Sequence, residues 1–152
     1  MKKIVLFSLL VMISLSLAYA QNEKLKTKRK LIVSGSDFDF TQINSYKDKE
    51  LIGSTYELSG TNYKYTIESD YKPIFAGDLA KMKMLVDSAY NFLLKSNEDS
   101  RNMFMNVQFI AIPKVKQGSS MLIVPRSDMM HVFQKAQLES ILKSIQKLES
   151  QK

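Results

Sequence analysis

The sequence predicts an α+β domain, with about five mostly antiparallel strands in the order β-β-β-α-β-β-α and two helices packed on one face of the sheet. Three observations lead there. Runs with a period of two recur along the chain, the clearest being Tyr63, Tyr65 and Ile67 against Lys64, Thr66 and Glu68. Two longer stretches space their apolar residues by three and four, as helices docked on a core do. Short polar connections join the strands, which favours antiparallel pairing with the helices to one side. Of 152 residues, 45% are hydrophobic and 24% charged, proportions of a folded chain and a length that suits one domain.

The first twenty residues read as a separate unit. Lys2 and Lys3 precede an apolar run over 4–17, and Ala18-Tyr19-Ala20 forms a small-x-small site. This is the pattern of a signal peptide over 1–20, cleaved before Gln21. The run is shorter than the ~20 residues that a spanning helix needs, and no later stretch reaches that length. The expectation is therefore an exported bacterial protein, periplasmic or secreted, with no transmembrane segment after cleavage. The chain has no cysteine. That excludes a lipoprotein anchor, disulfides and thiolate chemistry, and it suits an oxidising compartment.

Removing 1–20 takes two lysines and lowers the formal charge from +7 to +5. Residues 21–30 hold Lys24, Lys26, Lys28, Arg29 and Lys30 against Glu23, which leaves +1 for 31–152. The basic character thus sits in a short segment, read as a flexible leader over 21–30 ahead of a single domain over 31–152. A balanced domain argues against nucleic acid as a partner. The basic segment suits an anionic envelope surface instead.

Within the domain, Leu31-Ile32-Val33 suggests a buried strand, and Asp37-Phe38-Asp39-Phe40 alternates as a half-buried one does. Residues 41–49 are polar and read as a loop. Residues 51–58 and 63–67 form an expected hairpin, with Ser59-Gly60-Thr61-Asn62 as its turn. Residues 69–77 read as a connection. Asp78 is a helix N-cap, and Leu79, Met82, Leu85, Val86, Ala89, Phe92 and Leu93 make one stripe on a helix reaching about Lys95. Residues 104–112 form a strand closed by Pro113, and Met121-Leu122-Ile123-Val124 a strand covered on both faces.

The last element, begun near Ser127 or Asp128, holds a conflict. On one helix, Met129, Val132, Phe133 and Ala136 lie nearly opposite Leu138, Ile141, Leu142 and Ile145. A wide buried arc, a bend near Gln137 or a contact with a second chain would each reconcile them.

Few residues suggest chemistry. Asp37 and Asp39 fall on one side of a strand, and paired carboxylates can exchange protons or hold a cation. No calcium-loop spacing accompanies them, so a solvated face explains them. His131 is the single imidazole, placed at a helix start with Asp128 and with Ser119 and Ser120 upstream, but no nucleophile elbow is present. Seven methionines remain after cleavage, in pairs at 82/84, 103/105 and 129/130 plus Met121. Thioethers suit Cu(I), although methionine also fills cores. No cofactor or metal site is expected.

The functional expectation is a non-catalytic binding module for a partner protein, peptide or envelope component. Its candidate surface is Tyr56, Tyr63 and Tyr65 on the hairpin, with Ile141, Ile145 and Leu148 on the last helix. Two alternatives stand beside it. One is a carrier that holds a small apolar ligand between sheet and helices. The other is a small hydrolase, in which Asp37, Asp39 or Glu57 would converge in a cleft.

Overall fold

A computed structural model describes residues 25–63, 71–113, 121–125 and 130–151. The first four strands are β1 (Lys26–Ser34), β2 (Phe38–Lys47), β3 (Glu50–Thr61) and β4 (Tyr71–Gly77). They form one antiparallel sheet in sequential order. Helix α1 (Leu79–Lys95) follows. A second antiparallel sheet holds β5 (Ser100–Phe104), β6 (Val107–Ile112), β7 (Met121–Pro125) and β8 (Met130–Gln134), again in sequential order. Helix α2 (Lys135–Glu149) completes the described chain. The α+β class therefore stands, but with eight strands in two sheets rather than five in one. The order ββββα occurs twice, a repeat that leaves no mark in the sequence.

Local chemistry accounts for most of these elements. The Asp78 carboxylate accepts the Lys81 N–H at 2.8 Å and caps α1 as expected. Leu79, Met82, Leu85, Val86, Ala89 and Leu93 are buried along its stripe. In β6 the alternation is complete, with Val107, Phe109 and Ala111 buried and the residues between them half-buried. Both sheets and both helices feed one core, in which Phe40, Met82, Leu93, Leu122, Phe133, Leu138, Ile141 and Ile145 are almost wholly enclosed. Among the described residues, no helix is long and apolar enough to cross a membrane.

Several expectations change, each for an identifiable reason. Residues 41–47 are strand, and the turn lies at Asp48 and Lys49, with φ of 50° and 73°. Positive φ at both central positions is the geometry that joins two strands tightly, usually through Asn-Gly. The 104–112 run is likewise split by a turn at Met105 and Asn106, with φ of 49° and 62°. Neither turn contains glycine, so neither announces itself. Conversely, Ser59, Gly60 and Thr61 continue β3, and no described glycine has a positive φ. Residues 71–77, expected as a connection, form β4.

The basic segment is also different. From Lys26 onward it belongs to β1, with Lys26, Lys28, Arg29 and Lys30 paired in register to Tyr46, Asn44, Ile43 and Gln42. Leu31 is exposed, so the opening strand is only partly buried. The conflict in the last element disappears, because Met130–Gln134 is strand and helix begins at Lys135. His131 and Phe133 are buried by a period of two, and Leu138, Ile141 and Ile145 by helical spacing. The expected signal peptide, Lys24, Tyr65, the 114–120 loop with Ser119 and Ser120, and residues 126–129 lie outside the described residues.

Candidate functional site

Two places concentrate unusual features, one exposed and one buried. The exposed one is an arm. Burial in β2 ends at Thr41 and resumes in β3 at Tyr56; none of residues 42–55, nor of 25–31, is buried. Three paired strands therefore run beyond the core for about six residues each, roughly 20 Å at strand rise. The arm carries six basic side chains (Lys26, Lys28, Arg29, Lys30, Lys47 and Lys49) against Asp48 and Glu50.

Register sorts these side chains by face. Lys26, Tyr46 and Leu51 lie in one cross-strand row, Lys28, Asn44 and Ser54 in the next, and Lys30, Gln42 and Tyr56 in the third. One face thus presents three lysines in a line. The Lys28 ammonium lies 5.4 Å from the Tyr46 ring centroid, within reach of its π-face. Gln42 Nε2 donates to Ser54 Oγ (3.3 Å), which donates to Asn44 Oδ1 (2.7 Å), so the middle of this face is polar and ordered. At the distal end an open hollow of about 710 Å³ is lined by Lys26, Lys28, Tyr46, Asp48 and Lys49. Beside it Leu25, Leu51 and Ile52 are exposed by 62%, 56% and 56%. A slip in register places Ile52 as an extra residue in β3, which explains why two consecutive aliphatic residues sit at the tip.

The opposite face differs. Arg29 forms an ion pair with Glu57, which also accepts from Ser59 Oγ at 3.0 Å. Arg29, Asp39, Thr41, Glu57, Ser59 and Pro73 line a shallow depression. Asp39 accepts from Ser34 Oγ at 2.7 Å. Two of the three carboxylates of the hydrolase alternative therefore share a depression. The third does not, since Asp37 Oδ2 accepts from the Tyr63 hydroxyl (2.9 Å) and Oδ1 from Gln137 Nε2 (2.7 Å).

That Asp37 contact belongs to the buried place, which centres on His131. The ring is fully enclosed on β8, 4.3 Å from the Phe133 ring and 5.9 Å from the Tyr63 ring. Its Nδ1 lies 3.0 Å from the Thr61 carbonyl oxygen, so Nδ1–H donates and Nε2 carries the bare lone pair. Nε2 has no hydrogen-bond partner among the described residues. Burial pushes the imidazole below its ordinary range, opposed by the Thr61 carbonyl and the nearby Asp37 charge. Gly60 makes the packing possible: a Cβ there would fall 2.4 Å from His131 Nδ1. Around the ring, Tyr63 N–H donates to the Met130 carbonyl (2.7 Å) and Met130 N–H to Asn62 Oδ1 (3.0 Å). Gln137 accepts from Gln134 N–H (2.7 Å) while its amide holds Asp37, tying the start of α2 to the β1–β2 connection. The node joins the first sheet to the second.

The expected interaction residues divide. Tyr63 is 42% exposed and Tyr56 is 4%. Tyr56 stacks on Phe40 inside the core, so it offers no contact surface. Ile141 and Ile145 are enclosed by their own domain, because α2 packs on α1 and the core, and Leu148 is partly buried against it. The second-chain explanation of that helix is therefore not needed. Met103 and Met105 do not share a face, since the turn separates them. Met82 is buried and Met84 exposed. Sequence reasoning missed the arm, whose signal was present in the alternation of Lys26, Lys28 and Lys30. It also missed the burial of His131, which the alternation with Phe133 contained. A scan against protein-family models, a search of curated proteins and a search of solved structures each gave no match.

Proposed function

We propose that this chain is an exported, non-catalytic binding module that meets its partner, an envelope component, through the arm formed by β1, β2 and β3. The carrying observation is the arm itself. Ordering twenty or so residues away from a core costs conformational entropy that burial there does not offset. Exposed Leu51 and Ile52 at its tip gain stabilisation only when something covers them. The carrier alternative has less support. The void between the first sheet, α1 and the second sheet, lined by Leu58, Ile74, Leu85, Phe109 and Phe133 among others, measures about 10 Å³, room for one water at most.

The absence of cysteine permits a direct test. Leu51→Cys carrying a photo-crosslinker, in the exporting cell, is expected to give an adduct with an envelope component, lipid or protein. Met84→Cys, equally exposed on α1, is expected to give none. Equal labelling at both positions, or no adduct at position 51, would refute the assignment of the arm.

A further inference from the structure

We infer that the arm docks on an anionic phospholipid surface, with Lys26, Lys28 and Lys49 around the distal hollow meeting headgroup phosphates and Leu51 and Ile52 entering the acyl boundary. The inference rests on the binding-module reading and names its occupant. Three features of one face point to a bilayer rather than to a soluble anion. Lys26, Lys28 and Lys30 lie on alternate residues of an edge strand and so leave the same face of it, with Lys49 added from the β2–β3 turn. A flat charged surface can engage such a set at once, each basic residue near it contributing additively. The hollow between them is open and lined in part by the half-buried Tyr46, an amphipathic ring suited to headgroup depth.

The exposed aliphatic pair beside the charged turn is the third feature. Leu51 lies in the same cross-strand row as Lys26 and Tyr46, and Ile52 follows it. Lysines, the Tyr46 ring and exposed Leu51 and Ile52 therefore sit side by side in the distal half of the arm, just behind the charged turn Lys47-Asp48-Lys49-Glu50, with polar Gln42, Asn44 and Ser54 in the rows nearer the core. Cationic and aliphatic side chains set side by side suit the boundary of a bilayer, where phosphates and acyl carbons adjoin. Asp48 also lines the hollow, so the site is a net cation rather than a purely basic one. On the opposite face Arg29 is paired with Glu57.

The test uses the chain as recovered after export, its N-terminus established by mass spectrometry. It is mixed with vesicles of phosphatidylcholine alone or of phosphatidylcholine with phosphatidylglycerol. Binding is expected only to the anionic vesicles, weakening as salt rises. Lys26→Gln, Lys28→Gln and Lys49→Gln together should reduce partitioning on the order of 100-fold. Leu51→Ser with Ile52→Ser should reduce it about tenfold or more. Circular dichroism and melting should show both variants folded, since every altered residue is exposed. Binding to neutral vesicles that ignores all five substitutions would overturn the inference. So would heparin binding of equal strength that is indifferent to Leu51 and Ile52. A protein adduct at position 51 without vesicle binding would refute the lipid inference and leave the module reading standing. No adduct and no vesicle binding would remove both.

Discussion

Gly60→Ala is the sharpest probe of how the two sheets are joined. The new methyl would fall 2.4 Å from His131 Nδ1, 2.5 Å from Cε1 and 2.8 Å from Cγ, where contact requires well over 3 Å. The imidazole cannot step aside, for it is enclosed and held between the Phe133 and Tyr63 rings. Forcing extra volume into a filled core costs about 1–3 kcal/mol. Displacing the ring also breaks the Nδ1–Thr61 hydrogen bond, worth about 1 kcal/mol. The expected loss is about 2–4 kcal/mol, read from the midpoint of urea unfolding with an unchanged slope. His131→Ala should be destabilising on its own, because it opens a cavity. Combined, the two substitutions should cost at least about 1 kcal/mol less than their separate effects predict, since the methyl then enters vacated space. Additive costs, or a Gly60→Ala change within about 0.5 kcal/mol, would refute the packing argument.

The same histidine makes stability depend on pH. Its folded pKa lies below the ordinary 6.5 through burial, so the unfolded chain binds the proton more readily. Stability is fully present above 6.5 and falls as pH drops below it, until the depressed folded value is passed, with a slope of up to about 1.4 kcal/mol per pH unit. His131→Gln should flatten this part of the profile; an unchanged acid limb in urea melts at stepped pH would contradict it. Met82→Ala should cost about 2–4 kcal/mol, because the side chain is wholly enclosed on the α1 stripe. A denaturant midpoint equal to that of the parent chain would mean that the stripe faces elsewhere.

What was legible in the sequence depended on whether the governing forces were local. The α1 helix was legible from end to end, because a carboxylate cap at Asp78 and 3-4 apolar spacing act within a few residues. The turn at Asp48-Lys49 was not, because its residues have no intrinsic preference for positive φ and adopt it under the pull of paired strands. Ser59-Gly60 misled for the reverse reason. Its glycine reads as a turn, yet serves to leave room for a ring seventy-one residues away. The C-terminal conflict was a true signal, but the opposed faces recorded a change from strand to helix period at Lys135, not the wide arc, bend or second chain that a single helix would require.

The sequence by itself determined the α+β class, the stripe and cap of α1, the lack of any thiol chemistry, and a concentration of positive charge before residue 31. Each follows from composition or from interactions along neighbouring residues. Only the tertiary structure decided that the basic segment is an edge strand with its lysines on one face, that Leu51 and Ile52 share its distal end, and that His131 is buried between Gly60 and Phe133. Those arrangements come from strand register and sheet contact between residues far apart in the chain. Register is selected by burying Phe38, Phe40, Tyr56 and Leu58 together, a choice no local pattern contains.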